Sequence, residues 1–189
     1  MKPLKTNTTL QSKKPLKAKK PLSSAKKPKR QPVPEITKTK RLAWKLFSRY
    51  VRLRDSEYRL DGDQGAGWYG TCITCSKTGL IAYIDETGKL RFTSGWDAGH
   101  YIGRGNWYLR HDEENVNLQC AFRCNKMRSG EHEKYRLALD LKYGDGTGTK
   151  LDMVAAVNSD YKAPIAELRQ VIHDSQEQVD WYFKESQHG

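Results

Sequence analysis

Four cysteines in two close pairs constrain the fold of this chain more than any other feature of its sequence. Cys72 and Cys75 lie in the segment TCITC, and Cys120 and Cys124 follow after residues 76–119. Two short pairs of thiolates are typical of a tetrahedral zinc site, in which the metal stabilises a small fold directly. Because four sulfur ligands fill the coordination shell, we expect the zinc ion to be structural and not catalytic.

Two disulfide bonds, or four unlinked cysteines of which some are simply buried, are the alternatives to a zinc site. The sequence has no apolar segment typical of a secretory signal, and no apolar run of the roughly 20 residues that span a membrane. Paired cysteines in an intracellular protein favour a metal over disulfides. We therefore expect a soluble, cytoplasmic protein that binds zinc and has no membrane partner.

The net charge of +12 is concentrated at the N terminus. Residues 1–34 hold eleven basic residues and no acidic one, whereas the rest of the chain is close to neutral. This Lys- and Pro-rich segment cannot bury enough apolar surface to offset its ordering entropy, so residues 1–40 are predicted to be a disordered tail. The tail would bind DNA phosphates without reading sequence, unless it is only a solvated leader. Its candidate DNA-binding residues are Lys13, Lys14, Lys19, Lys20, Lys26 and Lys27.

The remaining residues, 41–189, are predicted to form one α+β domain. Apolar residues at helical spacing predict a first helix whose aromatic stripe packs into the core, and capping patterns predict the later helices. The predicted helices are 40–57, one beginning near 120, 131–142, 151–157 and 164–183. Short β-branched and aromatic runs between turns predict the strands 80–83, 89–93 and 96–102.

One histidine, one aspartate and two asparagines lie around the second cysteine pair, and together they suit phosphodiester cleavage. His100 follows a strand-like run and is the candidate general base. Asp97 and Asn125 are oxygen ligands of the kind that Mg²⁺ prefers. Asn115 could hold the loop that orients the imidazole. Each residue alone has an ordinary structural alternative, but their occurrence together beside the cysteines favours a nuclease site.

The order of these residues resembles that of the HNH (ββα-metal) endonucleases. In that family a strand ends at a histidine, an asparagine precedes a cysteine pair, and a histidine or asparagine follows it. The matching positions are His100, Asn115, Cys120, Cys124 and Asn125. More narrowly, the segments WDAGHY, NVNLQC and CNKMRSG resemble the NinG/Rap recombination nucleases of lambdoid phages, over about residues 70–143.

The resemblance implies a zinc-stapled ββα-metal (HNH) nuclease core with flanking helices. It implies a structure-specific DNA endonuclease that cleaves branched recombination intermediates, such as Holliday junctions or D-loops, in the cytoplasm of a phage-infected bacterium. In the implied roles, His100 is the general base, Asp97 and Asn125 hold Mg²⁺ or Mn²⁺, and Asn115 braces the histidine loop. Recombination proteins and a second copy of the chain are further expected partners. The alternative is a non-catalytic zinc module that binds DNA junctions or a recombination protein.

The sequence departs from the family pattern at three positions. Asn125 stands where many HNH enzymes have histidine. Gly99 stands where many have the metal-binding acid, so that Asp97 is the nearest acid before the histidine. The extra residue between Cys120 and Cys124 would change the register of Asn125.

Basic and aromatic residues around these motifs complete the predictions. The candidate phosphate-binding residues are Arg104, Arg110, Lys126, Arg128 and Lys134, for which an ordinary solvated face is the alternative. Trp107 and Tyr108 are predicted to pack the loop that contains them rather than to wedge into a junction. The acidic residues 112–114 are predicted to begin a helix from a solvated loop. The remaining histidines are predicted to lie at the surface: His111, His132, His173 and His188.

Overall fold

The computed structural model describes residues 32–187, which form an α+β fold with four α-helices, one π-helix and six strands. The helices are α1 (Glu35–Arg54), the π-helix (Ala121–Met127), α2 (His132–Tyr143), α3 (Thr147–Val157) and α4 (Ile165–Glu185). The strands are β1 (Ser56–Arg59), β2 (Gly67–Thr71), β3 (Thr78–Ile84), β4 (Leu90–Phe92), β5 (Trp96–His100) and β6 (Val116–Cys120). The predicted tail lies, up to residue 31, outside the described residues, and so do Lys13, Lys14, Lys19, Lys20, Lys26 and Lys27.

The strands form two antiparallel sheets. Strands β1, β2, β3 and β4 make a four-stranded sheet in sequence order, and β5 pairs with β6. In the second sheet Trp96 lies opposite Cys120, and His100 lies opposite Val116. The π-helix begins at Ala121, directly after β6. Two antiparallel strands followed at once by a helix therefore surround the predicted site.

Helix α1 places one apolar face in the main core. Its buried residues recur at helical spacing, and this face packs against both sheets and against α4. Burial of each large apolar side chain contributes roughly 1.5–3 kcal/mol. The predicted core stripe is confirmed at Ala43, Leu46, Phe47, Tyr50, Val51 and Leu53. Trp44 is the exception, because it lies half-buried at the edge of this face.

The first helix begins earlier and ends earlier than its sequence pattern predicts. It starts at Glu35, so residues 35–40 belong to the helix and not to the predicted tail. The Pro34 carbonyl accepts the backbone N–H of Lys38 and closes the first turn, and Glu35 pairs with Arg169 of α4 at the surface. The helix ends at Arg54, and residues 56–59 enter β1 instead.

Strand β6 replaces the helix start and the loop that were predicted between residues 112 and 120. Its polar residues Asn117 and Gln119 are buried, which hides the alternation that normally reveals a strand. Both bond to distant segments: Tyr143 donates its hydroxyl to Asn117 Oδ1, and Gln119 Nε2 donates to the Gly130 carbonyl. Strands β1 and β2 were also not predicted, because each is short and lies beside a Gly-rich loop.

The later helices agree closely with their sequence patterns. Helices α2 and α4 lie within two residues of their predicted ranges, and Pro164 directly precedes α4. Helix α3 starts at Thr147, so the break before it covers only residues 144–146. Gly144 and Gly146 both have positive φ there, which a residue with a side chain rarely adopts. None of the helices in the described part of the chain is both long and apolar enough to cross a membrane.

Candidate metal centre and catalytic cleft

The four cysteines converge into one cluster, and all are free thiols. Their sulfur atoms lie within 4.8 Å of one another, and the sulfurs of Cys75 and Cys120 are 3.8 Å apart. Zn–S bonds of about 2.3 Å in a tetrahedral site place sulfur atoms about 3.8 Å apart. The cluster could therefore bind a zinc ion in the predicted tetrahedral S₄ arrangement.

The first cysteine pair lies in a tight turn between β2 and β3. The Cys72 amide donates to the Lys77 carbonyl at 2.8 Å, and Ser76 donates back to the Cys72 carbonyl at 3.0 Å. Ser76 closes the turn with a φ of 55°. The Ile73 amide donates to the Leu118 carbonyl at 3.0 Å, which ties this turn to β6. The second pair is thus brought beside the first by strand packing.

The protonation of the thiols depends on burial and on local hydrogen bonds. Burial raises the pKa of Cys75, Cys120 and Cys124. At Cys72 burial is outweighed by hydrogen bonds with the Thr74 hydroxyl and the Cys120 amide, which lower the pKa to about 7. A bound zinc ion would deprotonate all four, because thiolate is the form that binds metal.

The π-helix accommodates the unusual spacing of the second pair. A π-helix closes its hydrogen bonds between residues i and i+5, so it takes up one residue more than an α-helical turn. Cys120 ends β6, and Cys124 lies within the π-helix. Asn125 Nδ2 donates to Asp97 Oδ2 at 2.9 Å. With the extra residue present, Asn125 still faces Asp97 of β5.

A cleft of about 360 Å³ lies between α1, β5 and the π-helix. It brings together Asp97, His100 and Asn125, and two of the predicted phosphate-binding residues, Arg104 and Lys126, also line it. The other lining residues are Trp44, Ser48 and Ala98. Imidazole, carboxylate, amide and basic groups thus share one solvent-accessible space.

His100 is held in one tautomer and in neutral form. Its Nε2 lies 3.1 Å from the Arg110 carbonyl oxygen. A carbonyl only accepts hydrogen bonds, so Nε2 carries the proton and Nδ1 keeps a lone pair. The ring stacks on Trp44, with centroids 4.6 Å apart. Burial, which the Arg110 hydrogen bond only partly offsets, lowers the pKa of His100 to about 3.

Asn115 is fully buried behind the cleft and clamps the loop that follows β5. Its Nδ2 donates to the Leu109 carbonyl at 2.8 Å and to the Ile102 carbonyl at 3.1 Å. Its Oδ1 accepts the Ile102 amide at 2.6 Å. Arg110 directly follows Leu109, one of the two residues that Asn115 binds. Asn115 therefore holds in place the Arg110 carbonyl that contacts His100.

Comparison with known families identifies the chain. The family model described as bacteriophage lambda NinG protein matches residues 2–185. The chain belongs to the NinG family. The match includes α1, α4 and most of the N-terminal segment, and so extends well beyond the residues 70–143 that carry the resemblance in the sequence motifs. No curated protein and no solved structure was found to match the chain.

In this NinG-family chain a glycine, Gly99, directly precedes His100, and the carboxylate that lines the cleft is that of Asp97. Gln119 lies opposite Asp97 in β6 and packs over Gly99. A Cβ atom on Gly99 would overlap the amide of Gln119 and lie 3.0 Å from its Cβ. A side chain at position 99 would therefore require Gln119 to move. Asp97, two residues earlier on the same face of the strand, occupies the cleft instead.

Three of the predicted phosphate-binding residues lie outside the lining of the cleft. Arg128 and Lys134 both pair with Glu131. Arg110 places its guanidinium over Trp107, 4.4 Å from the ring centroid, and donates to the Arg104 carbonyl at 2.7 Å. Trp107 therefore packs its own loop, as predicted.

The surface prediction is wrong for His111. Its ring packs edge-on against Phe47, with centroids 5.4 Å apart, and burial lowers its pKa to about 4. His132 and His173 are exposed, as predicted, and His188 lies outside the described residues. Asp112 accepts the Asn115 amide at 2.8 Å in a turn, so the acidic run leads into β6 and does not begin a helix.

Helix α1 supplies residues of the cleft that sequence reasoning missed. Trp44 and Ser48 line the cleft, and Arg52 lies one further turn along the same side of the helix. Burial lowers the pKa of Arg52 to about 10, and the charge of Asp97 opposes this shift. The only sequence signal was their shared spacing of four residues at the border of the apolar face.

Proposed function

We propose that this NinG-family chain is a metal-dependent DNA endonuclease of the HNH type that cleaves branched recombination intermediates such as Holliday junctions or D-loops. The observation that carries the proposal is the arrangement around His100. A neutral imidazole with a free Nδ1 shares one cleft with Asp97 and Asn125. Phosphodiester hydrolysis needs a base for water and a cation for the phosphate, and these residues supply the base and the ligands for a cation.

The oxygen atoms of Asp97 and Asn125 suit a hard divalent cation. The Asn125 amide nitrogen is used by Asp97, so its amide oxygen is left for a cation, beside the second carboxylate oxygen. Mg²⁺ and Mn²⁺ prefer such oxygen ligands and keep several waters. Bound there, either ion would neutralise charge that develops on the scissile phosphate.

His100 would accept the proton of the attacking water at Nδ1. The Arg110 carbonyl holds the Nε2 proton and would stabilise the imidazolium that forms. The anionic phosphate in the cleft would raise the pKa of His100 towards the working pH, because opposite charge favours the protonated ring. Arg104 and Lys126 would hold that phosphate and orient it.

Zinc bound by the four cysteines would stabilise the fold beside this site. Cys124 directly precedes Asn125, so a zinc ion bound by the four cysteines would anchor the π-helix that carries Asn125. In this proposal the protein works in the cytoplasm of the bacterial host on branched DNA. Recombination proteins and a second copy of the chain are its further proposed partners.

Cleavage of a panel of junction, flap and linear DNAs in Mg²⁺ tests the proposal. Wild type should cut branched DNA, and His100→Ala should lower the single-turnover rate constant by about 100-fold or more. His173→Ala, at an exposed histidine on α4, is the matched control and should cut like wild type. Equal cutting by His100→Ala would remove His100 as the base. Salt-sensitive junction binding with no cutting in Mg²⁺ or Mn²⁺ would identify a non-catalytic zinc module instead.

A further inference from the structure

Helix α1 carries a positive charge that the described protein does not neutralise. The helix has seven basic residues and a single acid, Glu35. Within residues 32–187, Arg54 is the only one of the seven that forms a salt bridge, with Asp55 and Glu113. The six others have no carboxylate partner in that part of the chain: Lys38, Lys40, Arg41, Lys45, Arg49 and Arg52.

Most of the unpaired charges lie on the side of α1 away from its buried apolar residues, whereas Lys40 lies over Trp107 and Arg52 is itself largely buried. Arg41, Lys45, Ser48 and Arg52 follow the spacing i, i+4, i+7 and i+11, which forms one line along a helix. The buried residues of α1 lie on the other face. Ser48 lies in this line and also lines the cleft. The line of basic residues therefore passes directly along the wall of the site.

The dimensions of this line fit a nucleic-acid backbone. Eleven residues of helix rise about 16 Å. One DNA strand rises about 3.4 Å per nucleotide along the duplex axis, so the line equals the axial length of about five nucleotides. Arg49 and Arg52 are held over the Phe92 ring, at 5.6 and 4.3 Å from its centroid, so part of the charge is ordered before binding.

Several basic residues that follow the π-helix are already paired with carboxylates. Arg128 and Lys134 share Glu131, and Lys150 pairs with Glu114. A polyanion would have to break these pairs to gain the same contacts. Charge complementarity therefore favours α1 over the residues that follow the π-helix.

We propose that this basic face of α1, defined by Arg41, Lys45, Arg49 and Arg52, binds the phosphate backbone of the DNA strand that enters the cleft. The inference rests on the proposed nuclease function and extends it to the path of the substrate. Contacts of this kind position the strand and carry no sequence information. The face continues in sequence from the basic segment 1–34, so both would act on the same DNA.

The test compares two triple variants of the full chain that lose equal charge. Arg41→Gln/Lys45→Gln/Arg49→Gln removes the two exposed residues of the face and the half-buried Arg49. Lys89→Gln/Lys162→Gln/Lys184→Gln removes three exposed lysines elsewhere that have no salt bridge within residues 32–187, and serves as control. Gln keeps high helix propensity, so both variants should fold, as circular dichroism can verify.

Fluorescence anisotropy with a labelled four-way junction, without added Mg²⁺, gives the dissociation constant across a salt series. The α1 variant should bind at least tenfold more weakly than wild type at about 0.1 M salt, with a log–log salt slope lower by about 2–3. The control should stay within about twofold of wild type. In single-turnover cleavage at saturating DNA, the α1 variant should keep the wild-type rate constant and need more DNA for half-saturation.

The outcomes separate this inference from the proposed function. Wild type that binds and cuts DNA, with an α1 variant that keeps wild-type affinity and salt slope, would overturn the α1 assignment alone. An equal loss of DNA affinity in both variants would overturn it as well, because affinity would then depend on total charge and not on the position of the charge. Wild type that neither binds nor cuts any branched DNA would overturn both.

Discussion

The imidazole Nε2 of His100 lies 3.1 Å from the carbonyl oxygen of Arg110, ten residues along the chain. This contact fixes the proton on one nitrogen and leaves the other as a proton acceptor. It exists because the loop between the two residues folds back over β5. Asn115 holds that loop through three hydrogen bonds to Ile102 and Leu109. Removal of a residue outside the cleft should therefore impair the histidine within it.

We expect Asn115→Ala to lower both stability and cleavage. The change leaves a buried amide and two carbonyls without partners, which costs about 2–4 kcal/mol of unfolding free energy. The freed loop would also release the carbonyl that orients His100. Urea denaturation and single-turnover cleavage measure the two effects. Asn158→Ala removes a single side-chain bond to the Val154 carbonyl and is the control. Wild-type cleavage by a folded Asn115→Ala protein would contradict the bracing role.

The two metals should have separable effects. One zinc ion per chain should copurify with the protein, because the four sulfurs fit a tetrahedral ion. A strong chelator should unfold the domain, seen as loss of circular dichroism signal and of the thermal transition. Omission of Mg²⁺ alone should stop cleavage and leave the thermal transition unchanged. A zinc-free protein with an unchanged melting temperature would refute the structural role of the cluster.

Gly99→Ala should destabilise the fold although it adds only a methyl group. Its Cβ would overlap the buried amide of Gln119, and overpacking of this kind costs about 1–3 kcal/mol. Gly95→Ala is the matched control, because a Cβ there would meet no atom within 4 Å. Urea midpoints compare the two. If Gly99→Ala were as stable as Gly95→Ala, Gln119 would not be the reason that position 99 lacks an acid.

Acid should destabilise the protein partly through His111. Burial lowers its pKa to about 4, below the ordinary 6.5, so the unfolded state binds more protons between these values. The stability that neutral His111 contributes is present above pH 6.5 and is lost as the pH falls towards 4. Relative to wild type, His111→Phe should become more stable as the pH falls from 7 to 5, measured by urea midpoints. A pH-independent difference for His111→Phe would contradict the prediction.

The basic N-terminal segment should contribute affinity and not chemistry. Deletion of residues 2–31 removes its eleven basic residues and keeps Pro34, whose carbonyl caps α1. DNA affinity should fall and its salt dependence should flatten, because fewer counterions are released on binding. The single-turnover rate constant at saturating DNA should stay within about twofold of wild type. Identical salt slopes with and without the segment would exclude this role.

Local patterns predicted the parts of the fold that depend on a single segment. Helix α1 was found from its apolar spacing, and α4 from Pro164 and the periodic run that follows it. The cysteine pairs predicted their own cluster, since each pair is a short loop. Strand β6 was missed because the partners of its buried Asn117 and Gln119 lie far along the chain. The NinG resemblance was predicted from residues that are contiguous in three short motifs.

The sequence by itself determined which chemical groups the protein can bring to a site: four thiols, one imidazole in a strand, and amide and carboxylate oxygens. These are properties of side chains and need no fold. The tertiary structure decided which of them meet and in what state. Contacts with Trp44 and Arg110 set the tautomer and the pKa of His100, and the packing of Gln119 leaves Asp97 as the acid. Burial and hydrogen bonding between distant segments set these properties, and neither can be calculated from neighbours in sequence.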